Sequence, residues 1–305
     1  LELGAGPNMT IAYGDTARHF SGPRDIEIPQ AGGEDLDKVQ VVHLEVALGI
    51  EITIGQHAPI KRMTPEETQQ AATLIWEKWD ADELLDELPE DCRPQTELEA
   101  HGIQSLFPRV SGQPQAGWKI AATSKAGQQH IKVDGPLAGL ILKGRILENG
   151  AECSLNANAM GVIEAEFAFR FGELVPPRER VYTAEEVLSR VSELCLTVEI
   201  PDTRFKALGG KLQLLAECAC AWWLVKSEPV TMNWRDLDFK SHQVTVAKNG
   251  EKVAEGSGAN VLEDPREALS WLVNDVGSRG VSIGAGELVT TGTCVVPVPV
   301  SPGDE

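Results

Sequence analysis

Cations are scarce in this sequence. Lys and Arg total 27 against 46 Asp and Glu, a formal charge of −19 at pH 7. A surface so short of positive charge cannot neutralise a row of phosphates, which excludes duplex nucleic acid as a partner. An anionic membrane surface is excluded on the same ground. Long apolar runs are missing too, and none approaches the ~18 residues of a membrane span. The opening residues Leu1–Asn8 lack the basic and apolar regions of a signal peptide and are expected to stay outside the fold. The six cysteines, Cys92, Cys153, Cys195, Cys218, Cys220 and Cys294, include no CxxC pair. They read as small buried hydrophobes in a reducing, cytoplasmic compartment. The six histidines are scattered, which removes a histidine-built metal site. No GxxxxGKS/T, helix-opening GxGxxG, GxSxG or HExxH occurs. His43-Leu44-Glu45 has the HxE of deaminases without the PCxxC that must follow, so His43 reads as a strand histidine.

What remains is ordinary globular text, 42% hydrophobic and 24% charged over 305 residues. A chain of that length buries about three quarters of its unfolded surface and needs no disulfides. Up to residue 59 the text is punctuated by Gly and Pro, with one apolar alternation, VQVVHLEVALGIEITIG, that can pair as one or two strands. Thr64-Pro65-Glu66-Glu67 predicts a helix start with a capping box, followed by a face of Ala72, Ile75, Trp76 and Trp79. Residues 80–99 hold nine acids and one base and read as a solvated helix–linker–helix face. Beyond a boundary near Ser111–Ala116 the text turns β-rich, with strands expected at 117–122, 135–142, 161–171, 194–200, 243–256 and 287–300. The fifth contains an Asn249-Gly250 hairpin turn. Helices are expected to open at Thr183, with a capping box to Glu186, and at Asp264-Pro265. The reading is an α+β chain with an N-terminal extension and helical part over residues 1–110 and a β-rich domain, dominated by a mixed or antiparallel sheet, over 111–305.

The chemistry-bearing text begins at Gly161-Val162-Ile163-Glu164-Ala165-Glu166-Phe167-Ala168-Phe169. Strand alternation puts Ile163, Ala165, Phe167 and Phe169 on one face and Glu164 with Glu166 on the other. Two carboxylates so placed repel unless something offsets their charge; a wet acidic face and an ion site both satisfy that condition. Leu194–Ile200 carries Glu199 near the end of a second apolar strand, and a third carboxylate would complete an all-oxygen site for a hard cation. Lys119, in Gly117-Trp118-Lys119-Ile120, is a lysine in apolar text that must meet an anion, either a structural carboxylate or a ligand.

Six segments occur in family order: GWKIAATSKAGQQ (117–129), GVIEAEFAF (161–169), VEIPDTRF (198–205), AECACAWWLV (216–225), GSGANVLEDPREALSWLVND (256–275) and AGELVTTGT (285–293). Together they resemble the 2-keto-4-pentenoate hydratase / 4-oxalocrotonate decarboxylase branch of the fumarylacetoacetate hydrolase superfamily. The likeness runs from about Thr96 to Pro302, about two thirds of the chain. It implies a fumarylacetoacetate hydrolase C-terminal-domain-like mixed β fold. It also implies a divalent cation, Mg²⁺ with Mn²⁺ as a substitute, held by Glu164, Glu166 and Glu199. Lys119 is then expected to face the active site as a catalytic and substrate-binding group, with Thr293 near the substrate. The implied substrate is a small anionic 2-oxo acid and the implied assembly at least a dimer.

Departures from the family pattern refine this. Leu137 in Gly135-Pro136-Leu137-Ala138-Gly139 lines the substrate side where hydratases of the branch carry an Asp, and the decarboxylases have an aliphatic residue there. The family's ADNAS appears as Ala216-Glu217-Cys218-Ala219-Cys220, and Glu263 replaces a Gly in the VLGDP turn. The resemblance therefore implies a Mg²⁺-dependent lyase, with decarboxylation of an oxalocrotonate-like oxo-diacid ahead of hydration of a 2-oxo-4-enoate. The alternatives are an acylpyruvate-type C–C hydrolase using His43 with Glu45, or a homologue without catalysis that serves binding or assembly.

Overall fold

The computed structural model describes residues 44–46, 50–52, 62–155, 158–207 and 209–305. The chain divides into two compact units, Leu1–Ile60 and Lys61–Glu305. In the first, β1 (Leu44–Val46) and β2 (Ile50–Ile52) form an antiparallel hairpin with Leu44 opposite Ile52. The apolar alternation is thus two short strands. His43 lies outside the described residues.

The second unit opens with three helices, α1 (Pro65–Asp80), α2 (Glu97–Ser105) and α3 (Phe107–Ser111). Thr64 caps α1 in the expected box with Glu67. Its buried face is Ala71, Ala72, Ile75 and Trp79, and the Trp79 ring meets Phe107 edge-on at 5.6 Å. The acid-rich run leads into the second helix of the expected helix–linker–helix, whose start the sequence reading did not place. Thr96 and Glu99 form a second capping box that starts α2, and Ala100 and Ile103 bury its inner side. Gln104 then ties α2 to the sheet and to a later helix by donating to the carbonyls of Ala138, 3.0 Å away, and Leu215, 2.8 Å away.

Strands and helices then alternate: β3 (Gln115–Ala121), α4 (Lys125–Ile131), β4 (Leu137–Leu142), β5 (Ile146–Glu148), β6 (Val162–Phe171), α5 (Ala184–Leu188), β7 (Val191–Ile200), α6 (Gly210–Ala216) and β8 (Trp223–Lys226). They are followed by β9 (Gln243–Lys248), β10 (Glu251–Ser257), α7 (Pro265–Ser278), β11 (Leu288–Thr293) and β12 (Val298–Pro299). Asn249 and Gly250 both adopt positive φ between β9 and β10, as an Asn-Gly hairpin turn requires. The expected strand over 287–300 is interrupted: Gly292 turns at φ +102 and a bulge separates Thr290 from Thr293, so β11 ends and β12 pairs afresh with β6.

The main sheet runs β4-β3-β11-β6-β7-β8-β5 with β12 on β6. It is mixed: β3 with β11 and β5 with β8 are parallel, and the other pairs are antiparallel. It is also curled. Ile141 on one edge strand packs in the same cluster as Leu224 and Ile146 at the other edge, with Ala168, Cys195 and Leu288 between them. The outer face of β6 carries Phe167 and Phe169, whose rings meet Phe239 edge-on at 5.2 Å and 5.4 Å in the main core. Helix α7 adds Leu269, Leu272, Val273 and Val276 to that core.

Closing the curl brings backbone against backbone. A Cβ on Gly139 of β4 would lie 2.0 Å from the carbonyl oxygen of Cys218, which fixes glycine there. Gly139→Ala is expected to lower the unfolding free energy by about 1–3 kcal/mol, read from the urea midpoint. An unchanged midpoint would contradict this approach of β4 to the turn after α6.

Candidate active site

The inner face of the curl carries the charge. Antiparallel register sets Glu164 opposite Glu199 and Glu166 opposite Thr197 on β6 and β7. On the neighbouring strands Lys119 stands opposite Gly139 on one side and Thr290 on the other. Two residues further along the same faces come Ala168, Cys195, Ile141 and Leu288, an apolar floor beneath the charged layer. Glu166, Glu199 and Lys119 are 4%, 3% and 2% exposed, and Glu164 is half-buried.

Three carboxylates therefore converge in a dry setting. One oxygen from each of Glu164, Glu166 and Glu199 lies within 4.8 Å of the others. Lys119 Nζ stands 3.2 Å from Glu199 Oε1 and donates to the Ala219 carbonyl at 2.8 Å. Glu166 Oε2 accepts from Gly292 N at 2.9 Å. Glu166 Oε1 and Glu199 Oε2 are buried and have no hydrogen-bond partner. Burial and the Glu199 charge push Glu164 up to about 7, and Lys119 only partly opposes them. Glu166 is raised further by burial and by both acidic neighbours, and burial raises Glu199 despite its lysine partner. Burial alone would favour a neutral Lys119, but Glu199 and Glu164 outweigh it and hold the ammonium charged. One cation faces three acids, and the balance calls for protons or a second cation.

The donor set fits a hard divalent ion. All three donors are carboxylate oxygens, two of the oxygens lack partners, and ligands of one Mg²⁺ at about 2.1 Å stand at most about 4.2 Å apart. A separation within 4.8 Å closes to that by small side-chain rotations.

The remaining residues singled out in the sequence fall in different places. Leu137 is 2% exposed and shares, by strand alternation, the face of β4 that carries Gly139, so an apolar side chain stands beside the charged layer. The Thr293 hydroxyl donates to its own turn at Val295 O, 2.8 Å away. Two other threonines face the charged layer with unpartnered buried hydroxyls: Thr197, directly opposite Glu166, and Thr290, beside Lys119. Thr197 was legible from its position two residues before Glu199; Thr290 needed the bulged register of β11.

The altered AECAC segment also has a definite job. Cys218, Ala219 and Cys220 all take positive φ, at 63°, 52° and 63°. Each such non-glycine residue costs roughly 1–2 kcal/mol, and the turn aims the Ala219 carbonyl at Lys119. Glu217, fully buried, pins this turn to the loop after β7 by accepting from the Thr203 hydroxyl at 2.8 Å and from Arg204 N at 2.5 Å. Burial outweighs the Arg204 charge and raises Glu217 to about 7. Cys218 and Cys220 are buried free thiols, and burial raises both, Cys218 to about 12.

No family model matches the chain. Among curated proteins, the 2-hydroxyhexa-2,4-dienoate hydratase of Comamonas testosteroni is 29% identical over 197 residues, covering 64% of this chain and 74% of the relative. The 4-oxalocrotonate decarboxylase of Pseudomonas putida is 30% identical over 190 residues, covering 62% of this chain and 70% of the relative. Among solved structures, 4-oxalocrotonate decarboxylase from Pseudomonas putida G7, complexed with magnesium and adipate, matches with a TM-score of 0.72 at 23% identity. The match covers 80% of this chain and 93% of that one. The shared fold is the mixed β architecture expected from the sequence, and its curl is what the structure adds.

The raised carboxyls set a pH dependence. A group bound to its proton up to about 7 when folded and only to 4.5 when unfolded stabilises the fold at low pH. That contribution falls away as pH rises from about 4.5 to about 7 and is constant above. Glu164 and Glu217 act in the same direction. Without added metal, stability should therefore drop between about pH 5 and pH 7.5, and Glu217→Gln should remove on the order of 3 kcal/mol of the drop. Mn²⁺ should raise the thermal midpoint more at about pH 7.5 than at pH 5, because it competes with protons for the same oxygens. Equal shifts at both pH values would count against ion binding by these acids.

Proposed function

Because this chain belongs to the 2-keto-4-pentenoate hydratase / 4-oxalocrotonate decarboxylase branch of the fumarylacetoacetate hydrolase superfamily, we propose that it is a divalent-metal-dependent lyase acting on a 2-oxo acid. Decarboxylation of an oxalocrotonate-like oxo-diacid is favoured over hydration of a 2-oxo-4-enoate. The observation that carries the reading is the set of three buried acids, two with orphaned oxygens, converging beside one buried lysine. Glu164, Glu166 and Glu199 are assigned as the ligands of Mg²⁺ or Mn²⁺. Relatives complexed with magnesium and with calcium support a divalent ion.

When bound, such an ion supplies Lewis-acid stabilisation for negative charge that develops on the 2-oxo acid as a remote bond breaks. The chain's own groups do the rest. Lys119, held charged and aimed by Glu199 and Ala219, sits where it can pair with the substrate's carboxylate or carbonyl oxygen and return a proton to the developing enolate carbon. Leu137 offers no proton and excludes water from the side where a hydratase would place an acid. That favours a step in which CO₂ leaves and no water is added. Thr197 and Thr290 present free hydroxyls to the same layer and can orient a ligand's oxygen. The division into a helical part over residues 1–110 and a catalytic part over 111–305, and an assembly of at least two copies, belong to this reading. The hydrolase alternative would need His43 over the metal site.

A 2-oxo-hexenedioate incubated with the protein and Mg²⁺ is expected to release CO₂ as the diene absorbance changes. Hydrated product without CO₂ would reverse the choice of reaction. Glu164→Gln should lower metal-dependent turnover by at least about 100-fold. Undiminished turnover would remove the site assignment.

A further inference from the structure

A cation stands apart from the charged layer in this cation-poor chain. Arg145 ends the short 3₁₀ turn Lys143–Arg145 that joins β4 to β5. Its guanidinium carbon lies 4.7 Å from the ring centre of Trp223, 5.3 Å from Trp79 and 5.7 Å from Trp76. Three indoles thus hold the flat group, Trp76 and Trp79 coming from α1 and Trp223 from β8. Stacking uses the faces of a guanidinium and leaves its in-plane N–H groups free. Among the described residues Arg145 has no hydrogen bond and no ion pair. Asp80 and Asp82 act on it only through space. A half-buried guanidinium with every donor unclaimed is a costly arrangement unless an anion visits it.

The place it faces is informative. Arg145 lines a narrow, open-mouthed cleft. Trp79, Trp223, Leu140 and Leu142 form apolar walls, and Glu199 of the charged layer lines the same cleft. The cleft therefore runs between one acid of the charged layer, Glu199, and the Arg145 guanidinium, with apolar surface between. That is the pattern of a linear molecule carrying an anionic group at each end and a hydrocarbon middle.

We propose that Arg145 receives the second carboxylate of the substrate, so that the chain selects oxo-diacids over oxo-monoacids. The assignment rests on the lyase reading of the neighbouring acids and narrows its substrate class. The three indoles restrict the side chain in advance, so less conformational entropy is lost when a carboxylate pairs with the guanidinium. Arg145 is a substrate-binding residue on this account, and α1 contributes to specificity by building the cage.

The test titrates the full chain, loaded with Mg²⁺, with adipate and with hexanoate, two six-carbon acids that differ by one carboxylate. Tryptophan fluorescence reports occupancy. Adipate should half-saturate at least about tenfold lower than hexanoate, and Arg145→Met should abolish that preference. Arg145→Lys, which keeps the charge and loses the fork, should retain part of it and serves if the Met variant fails to fold. In turnover, Arg145→Met should raise KM for the oxo-diacid about 10- to 100-fold. A preference absent from the unmodified chain, or unaltered in both variants, overturns the proposal. A parallel calorimetric Mn²⁺ titration separates the two readings. If Mn²⁺ does not bind, the lyase reading falls; if it binds and the diacid preference ignores Arg145, only the Arg145 assignment falls.

Discussion

The structure depends on how one buried lysine is shared among three buried acids. Lys119 is 2% exposed and would be neutral on burial alone, yet the surrounding carboxylates keep it charged. Glu199 in turn would be an uncompensated buried anion without it. Breaking such a pair by removing one partner costs about 3–5 kcal/mol, so the strands that carry the two residues are energetically linked across the curl. Since β3 and β7 are separated in the sheet by β11 and β6, the pair can form only when the sheet closes on itself. The curl places the site, and the charge pairing stabilises the curl.

That arrangement explains why backbone strain gathers after α6. Lys119 needs a second acceptor besides Glu199, and the Ala219 carbonyl reaches it only because three non-glycine residues in succession adopt positive φ. Gly139 on the opposing strand has no Cβ, which lets the carbonyl of Cys218 come close. Glu217 holds the turn by its side chain. The AECAC text thus keeps an acid at its second position, and that acid is structural in kind: it is fully buried and accepts from Thr203 and Arg204 of the loop after β7. Glu263 is a plainer departure. It occupies φ +69, the conformation for which the family's glycine is suited, and its exposed side chain stands 3.8 Å from Lys240.

Residues whose meaning depends on local periodicity were legible in the sequence. Alternation alone put Glu164 and Glu166 on the face opposite Phe167 and Phe169, and capping boxes marked the starts of α1 and α5. Helix α2 carried the same kind of signal in Thr96 and Glu99 and was masked by the acidic run around it. Helix α6 gave no comparable cue, since it opens on glycines with no side-chain cap. The pairing of Glu164 with Glu199, the free hydroxyl of Thr290 and the cage around Arg145 are products of register and curl, which no local pattern encodes. The bulge in β11 also sets Thr293 directly opposite Glu166, while its hydroxyl donates to Val295 O.

A net charge of −19 suggests a molecule hostile to anions, but the acids and the cations are not mixed evenly. The run over 80–99 contributes much of the excess, and several of its acids form exposed ion pairs, such as Glu83 with Lys78 and Glu87 with Arg93, or cap a helix, as Glu99 does. Exposed charges of this kind are screened within about 8–10 Å at physiological salt. Around the cleft the field is set by buried or half-buried groups that water screens less: Lys119 beside Glu199, the half-buried Arg145, and three acids whose charge a divalent ion would cancel. With the ion in place the local balance tips positive although the whole chain is acidic. A dianion then meets a cation at each end and apolar walls between, while nucleic acid meets only the screened acidic surface. Selectivity between two kinds of anion thus follows from where the charges are buried and not from their sum.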